Sequence, residues 1–577
     1  YLTDGASATG GTITVNNTAG IKNIPVKVYD IYGNVYKTEA EVEVTTATKT
    51  EDFDWDEAVI YFMLTDRFNN GDSSNDDPLG IGYDKTASGS YHGGDFKGIT
   101  QKLDYLKDLG INTIWISPIV DQIGQNIGDS ANCYYAYHGY WAKDFEKLNP
   151  HFGSLEDLKE LIDAAHDKGI KIMVDVVINH AGYGLKEGET GTDPNFPSLA
   201  DQLRFAGMFR TDGSTDTVTG EVSGLPDFIT EDPAIRNTVL SWQTAWIEKC
   251  KTDKGNTIDF FRIDTAKHVD KATLQALKIA ATKVKPDFKY ILEAWYSSSE
   301  LDAYLNNSLA DGVLNFDFKE IAKSFVKGNL ESAETALESL NEKGSSSATY
   351  GNFLGSHDED GFLYIIGKDN VGGLKNAITL QATSKGQPVI YYGEELGLSG
   401  ANNYPQYDNR YDMNWQLATA ENDILAHYQK VLNIRKEYSK IFAKGNREKI
   451  AGSDAEGFIA FTRAYQNEAV VIAVNQTSES KEITLKVPFK VGSIVKDAYS
   501  AQTYTVTKDG MVTAKLPAAK EGGTVVLTGE IQSNSGSSDD TTSSGSSSGG
   551  TTPTTKPSED TNKAPQNTIY LDSWPEV

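Results

Sequence analysis

Residues Phe260–His268 read FFRIDTAKH, an apolar run, joined by Ile258, that stops abruptly at Arg262, Asp264, Lys267 and His268. A short apolar run ending this way is a buried strand delivering polar groups to one rim. The neighbouring arginine favours the ionised form of Asp264 near neutrality, which makes Asp264 a candidate nucleophile. The pattern recurs in AVIYFML (58–64), NTIWISPI (112–119), KIMVDVVINH (171–180), KYILEAW (289–295), GVLNFDF (312–318), TYGNFLGSHD (349–358) and QPVIYYGEE (387–395), each followed by helical sequence. Eight strand–helix units predict an α/β fold, a closed (β/α)8 TIM barrel rather than an open doubly wound sheet. In such barrels the site lies where the carboxyl ends of the strands meet, and the polar ends found here all fall there.

The helices between these strands carry their own punctuation. Ile99, Leu103, Leu106 and Leu109 recur at helical spacing up to Gly110. Ser154 and Asp157 form a capping box for a helix that stops at Gly169, and Asp232 with Pro233 opens another, with Ile235, Val239, Trp242 and Trp246 on its apolar face. After the third strand, an irregular Gly- and Thr-rich stretch, about 181–228, is too long for an ordinary loop and predicts a small inserted domain. From about 444 to 530 the chain switches to short alternating strands such as FIAFTRAY and AVVIAVN, predicting an antiparallel β domain after the barrel of 52–443. Residues 1–48 alternate around a Gly33-Asn34 turn and read as the C-terminal part of a β-sandwich module. Residues 531–565, dominated by Ser, Thr, Gly and Pro, read as a solvated linker, and 566–577 as the start of a further module. On this reading the chain is part of something longer.

The 577 residues exceed one typical domain, and with 39% hydrophobic and 10% aromatic residues most of the chain can bury cores. A net charge of -28 without a local basic patch argues against nucleic acid and anionic membranes, and suits a neutral polymer such as a sugar. No apolar run approaches the roughly 20 residues a membrane span needs. Cys133 and Cys250 show no metal or redox spacing and read as small buried side chains, with a bridge between them unsupported.

Four carboxylates fall in or at the ends of predicted strands: Asp175, Asp264, Glu293 and Asp358. Glycoside hydrolysis needs such a set, one carboxylate to attack or stabilise the anomeric carbon and a protonated one to donate to the leaving oxygen. Structural ion pairs would explain one of these residues, but not four at corresponding positions with Arg262 beside one. His138, His180, His268 and His357 reach the same rim, suited to bonding sugar hydroxyls. Tyr140 and Trp141, in AYHGYW, offer rings for the apolar face of a pyranose, although core packing is the commoner use of such rings.

In this order, AYHGYW, DVVINH, LPDF, FFRIDTAKH, the glutamate of ILEAW and FLGSHD resemble the α-amylase family of glycoside hydrolases (family 13), over about residues 52–530. The resemblance implies a retaining mechanism with Asp264 as nucleophile, Glu293 as acid/base and Asp358 as transition-state stabiliser. It implies that Arg262 orients Asp264, and that Tyr140, His180 and His357 hold the sugar before the cleaved bond; His138 and Trp141 are further candidate substrate contacts. Lys267 and His268 would reach the sugar beyond it, with Asp175 in support. Retention requires the catalytic carboxyl groups to sit about 5–5.5 Å apart, and burial near Trp295 would raise the Glu293 pKa as an acid needs. The sequence departs from the family pattern at Ser356, where Asn is usual, and at Phe260 and Leu292, where Gly is usual; the first adjoins His357 and Asp358.

The resemblance also implies calcium at two places. Asn70, Asp72, Asn75 and Asp76, with Gly93 and Asp95, match a first-strand calcium loop of cyclodextrin glucanotransferases and related amylases, and calcium wants six to eight oxygens. A second ion would join Asn179 and Asp227 with the carbonyl of His268, tying the insertion to the barrel. The expected function is endo-hydrolysis of α-1,4 bonds in starch and maltooligosaccharides, by an extracellular protein, secreted or attached at a cell surface. LPDF matches α-amylases better than the MPKLN-like form of neopullulanases. The rivals are neopullulanase, amylopullulanase or glucanotransferase activity and, from another class, a non-catalytic starch-binding surface protein, against which the intact carboxylate set argues.

Overall fold

The computed structural model describes residues 53–532, except 130, 298–299, 303, 305–309 and 344–348, together with the backbone of five short strands near the two ends. Residues 52–531 form one compact unit. Its centre is a barrel of eight parallel strands: β1 (Ile60–Met63), β2 (Thr113–Ile116), β3 (Lys171–Val176), β4 (Phe260–Ile263), β5 (Lys289–Leu292), β6 (Gly312–Asn315), β7 (Thr349–Phe353) and β8 (Gln387–Tyr391). Each pairs with the next, and β8 closes on β1. All eight predicted strands occur where the apolar runs placed them. These strands are buried on both faces, which is why their sequences are continuous apolar runs rather than alternating ones.

The predicted first helix is two, α1 (Phe96–Gln101) and α2 (Leu103–Leu109), broken at Lys102, whose N–H bonds the carbonyls of both Ile99 and Thr100. The break costs no burial, since Ile99, Leu103, Leu106 and Leu109 are all fully buried. Gly110 closes α2 in the left-handed conformation (φ 96°). The capping box of Ser154 and Asp157 opens α3 (Leu155–His166), which ends before Gly169 (φ 73°). Asp232 caps α4 (Pro233–Lys249) with Pro233 at its first position; Val239 and Trp246 are buried, and Ile235 and Trp242 partly so.

Two excursions leave the barrel at its carboxyl end. The segment after β3 returns through antiparallel bridges His180–Asp227 and Phe209–Phe228, and Phe205, Phe209 and Phe228 pack with Phe145 and Trp242. This is the predicted insertion. A second excursion, not foreseen, follows β2, where Val120–Gln122 pairs antiparallel with Ala142–Leu148. It carries the AYHGYW stretch.

The C-terminal part is the expected antiparallel domain. β9 (Asn446–Ser453), β10 (Phe458–Tyr465), β11 (Glu468–Asn475), β13 (Ile494–Asp497), β14 (Thr503–Thr505) and β16 (Thr524–Thr528) form one sheet, in the order β9-β10-β11-β16-β13-β14. β12 (Lys481–Lys486) pairs with β15 (Met511–Leu516). A core of its own includes Phe458, Val471, Leu485, Val512 and Leu527.

Residues 1–51 and 532–577 form a separate unit. Within it Gly20–Tyr29 pairs with Val35–Val44, and Thr12–Thr14 pairs with both Ser7–Thr9 and Thr568–Tyr570. The expected Gly33-Asn34 turn and the linker up to 565 lie outside the described residues. Cys133 and Cys250 are both free; Cys250 is buried and Cys133 half-buried beside the Ser90 hydroxyl.

Candidate active site

Residues i and i+2 of a strand share a face, so Arg262 and Asp264 leave β4 on the same side. Parallel register sets Arg262 directly opposite Asp175 of β3. One nitrogen of the guanidinium therefore donates to both oxygens of Asp175 (2.9 Å each) and to Asp264 (2.8 Å). The other terminal nitrogen pairs with Glu293 Oε1 at 2.9 Å. Glu293 follows β5 directly, and its N–H donates to the carbonyl of Ile263 (3.0 Å). The two expected catalytic carboxyls thus meet across one buried side chain.

The surroundings hold each group in place. Trp115 of β2 donates its indole N–H to Asp175 (3.1 Å), as does the Tyr140 hydroxyl (2.8 Å). Glu293 also accepts from the N–H of Thr265 (2.9 Å) and the indole of Trp295 (3.1 Å). Thr265 makes its bond from the left-handed region (φ 48°), a conformation costly for a β-branched residue. Asp358 pairs with its neighbour His357 (2.8 Å) and with Arg410 (3.3 Å). Arg410 further donates to the carbonyl of His357 (2.9 Å) and the Tyr134 hydroxyl (3.0 Å). The His357 ring lies parallel to Tyr140, 5.1 Å between centroids, and edge-on to Phe62.

Three buried carboxyls share a single guanidinium. Burial and the repulsion of neighbouring carboxylates outweigh Arg262 and lift Asp175, Asp264 and Glu293 above their ordinary values, Asp175 to about 7. Arg262 does favour the ionised form of Asp264, as expected, but it is divided three ways and burial outweighs it. Burial pushes Asp358 up as well, but its contact with His357 and the charges of Arg410 and Arg262 more than offset this and hold it below the ordinary range. Burial drives His138, His180 and His357 down, His180 to about 4, so these rings are neutral donors and acceptors near pH 7.

An open cleft of about 460 Å3 runs over this cluster. It is lined by His138, Tyr140, Trp141, His180, Asp264, Lys267, His268, Glu293, His357 and Asp358 among the expected residues. Arg262 and Asp175 lie beneath it, buried. Nε2 of His138 and Nδ1 of His357 have no partner among the described residues. His180 Nε2 meets the carbonyl of Tyr140 (3.3 Å) and His268 Nδ1 that of Thr217 (2.7 Å). Lys267 donates to the carbonyl of Trp295 (3.1 Å) and lies over the Tyr296 ring. Trp141 packs edge-on to Tyr134, His138 and Tyr183. The reading of the sequence missed Arg410, Tyr134 and Trp115. Arg410 follows β8 in a loop without periodicity, and Trp115 reads as an ordinary core residue of its strand.

The residues expected to hold calcium are otherwise engaged. Asp72 pairs with Lys97 (2.7 Å), Asn70 donates to Asp76 (2.6 Å), and Gly93 adjoins both Asn70 and Asp76. The Asn75 side-chain amide lies against the carbonyls of Asp72 and His151. Asp95 accepts from the N–H groups of Gly71, Asp72 and Gly98, capping α1. At the second place Asp227 pairs with Arg210 (2.9 Å), and the Asn179 side chain turns to His180 (3.4 Å). At this second place an Asp227 oxygen taken by a guanidinium does not fit a six- to eight-oxygen cation shell. Among the described residues no three His, Cys, Asp or Glu side chains converge on a metal position.

Comparison with known proteins agrees with this geometry. The family model for the α-amylase catalytic domain matches residues 62–198 and 209–487. The periplasmic α-amylase of Escherichia coli K12 is 32% identical, over 70% of this chain and 71% of that protein. Neopullulanase 2 of Thermoactinomyces vulgaris is 28% identical, over 77% and 74%. Among solved structures, an Anoxybacillus α-amylase superposes with a TM-score of 0.70 at 29% identity, covering 83% of this chain and all of that one. The chain belongs to the α-amylase family of glycoside hydrolases.

Proposed function

We propose that this enzyme cleaves α-1,4 bonds within starch-like α-glucans with retention of configuration. The observation that carries this reading is the grip of one Arg262 guanidinium on both Asp264 and Glu293 at the floor of an open cleft. Asp264 attacks the anomeric carbon, and Glu293 gives its proton to the leaving oxygen and then takes one from water. Burial lifts Glu293 above its ordinary value, the direction a proton donor needs. Asp358, held ionised by His357 and Arg410, stabilises positive charge developing on the ring. His138, Tyr140, His180 and His357 hold the donor sugar; Trp141 supports them from the side, and Lys267, His268 and Trp295 border the acceptor side. We place its work outside the cytoplasm, secreted or at the cell surface, a reading that the periplasmic relative supports.

A second reading, neopullulanase or cyclomaltodextrinase activity, draws on the neopullulanase relative, on Ser356, and on the half-exposed Trp295 beside the acid. Product chromatography on amylose, pullulan and cyclodextrin separates the two. Maltooligosaccharides of mixed length from amylose, with pullulan untouched, are expected; panose from pullulan would establish the second reading instead. First-formed products should be α-anomers by proton NMR, and β-anomers would refute the retaining mechanism.

A further inference from the structure

The inserted segment 181–228 is fastened to the end of β3 at one knot. Phe228 N–H donates to the carbonyl of Asn179 (2.9 Å), Ala181 N–H to that of Pro226 (3.1 Å), and His180 bridges Asp227. Asp227 is buried, and burial pushes its carboxyl up to about 6 even with Arg210 pulling it down. Arg210, from the same insertion, closes the knot. Its Nε donates to Asp227 (2.9 Å), its Nη2 to both oxygens of Glu231 (2.9 and 2.7 Å), and its backbone N–H to the carbonyl of Asp227 (2.8 Å).

We propose that the Arg210 guanidinium is the built-in cation at the base of the insertion, tying its returning end at Asp227 to Glu231 just before α4, where the family resemblance places calcium, and that this fastening needs no divalent metal. A cation at this point neutralises the buried carboxylate of Asp227. The planar fork does so with directed bonds and reaches Glu231 at the same time. A dication bound to Asp227 would have to displace those bonds or sit against a positive charge. The consequence reaches the substrate, because Val222, Ser223 and Leu225 of the insertion line the cleft. Arg210 is therefore a positioning residue for that wall.

The test uses the full chain as wild type, Arg210→Ala, Arg210→Lys and Asp227→Asn. Each is dialysed against EDTA, then given millimolar calcium, with the unfolding midpoint followed by calorimetry and kcat and KM measured on maltooligosaccharides. The wild-type midpoint is expected to stay unchanged by chelation and by calcium. Arg210→Ala is expected to unfold at lower temperature and to raise KM several-fold with a smaller fall in kcat, partly restored by added guanidinium ion. Arg210→Lys, which keeps the charge and loses the fork, should fall between, and serves if the alanine variant does not fold. A calcium-dependent rise in the wild-type midpoint that Asp227→Asn abolishes would overturn the proposal, as would an Arg210→Ala enzyme with unchanged midpoint and KM.

Discussion

Asp264 and Glu293 were legible in the sequence because each ends an apolar run, and a run of that kind has only one rim on which to place a charge. What holds them was only half legible. Arg262 stands two residues from Asp264, but its bonds to Asp175 and Glu293 depend on the register of three strands. Glu293→Gln keeps the shape and loses the proton, so kcat should fall by a factor on the order of 10^2–10^4 with circular dichroism unchanged; wild-type release of reducing sugar would remove Glu293 from its role. The pH profile offers a second measurement at the same residue. An acid must be protonated, so the alkaline limb of kcat/KM follows Glu293, which burial lifts above its ordinary value. The Trp295 indole N–H stabilises the ionised form by donating to Oε1. Trp295→Phe removes that donor, the carboxyl then holds its proton to higher pH, and the alkaline limb should move up; a downward move would contradict the assignment.

Secondary-structure elements were readable wherever the pattern was local and periodic. The capping box of α3 was visible as Ser154 and Asp157, and the structure has both halves of it, with Ser154 Oγ accepting from Asp157 N–H and Asp157 Oδ2 from Ser154 N–H. Ser154→Ala removes one half at an exposed position, so stability should drop by about 1 kcal/mol, measured as a lower urea midpoint at unchanged slope. The break at Lys102 was not readable, because the apolar spacing runs through it unaltered. The antiparallel pair after β2 was missed for a different reason. Val120–Gln122 is too short to show a period, and its partner Ala142–Leu148 pairs with it across a long aromatic stretch and through an irregular register. Contacts of that kind are fixed by the rest of the fold, and with them went Tyr134 and the line of the cleft wall.

The barrel and the C-terminal β domain share one compact unit, and buried charge at their seam is part of the reason. Arg447 of β9 donates through Nε and Nη2 to both oxygens of Glu334 (2.7 Å each), on the helix Leu330–Glu342 that follows β6, and stacks 3.5 Å above the Phe461 ring. Both side chains are almost wholly buried, at 1% and 2% exposure. Nothing in the sequence pairs residues more than a hundred positions apart, so the two domains were legible and the seam between them was not. Breaking such a pair from one side leaves the other charge buried alone, at a cost of about 3–5 kcal/mol. Arg447→Met should therefore lower the unfolding midpoint sharply. Glu334→Leu in the same chain removes the stranded charge together with its desolvation penalty, and the double variant should recover most of the loss, as apolar replacements of buried pairs do. Calorimetry at one scan rate checks both. If the single and double variants unfold together, the stranded charge costs nothing, and the seam is held by apolar packing alone.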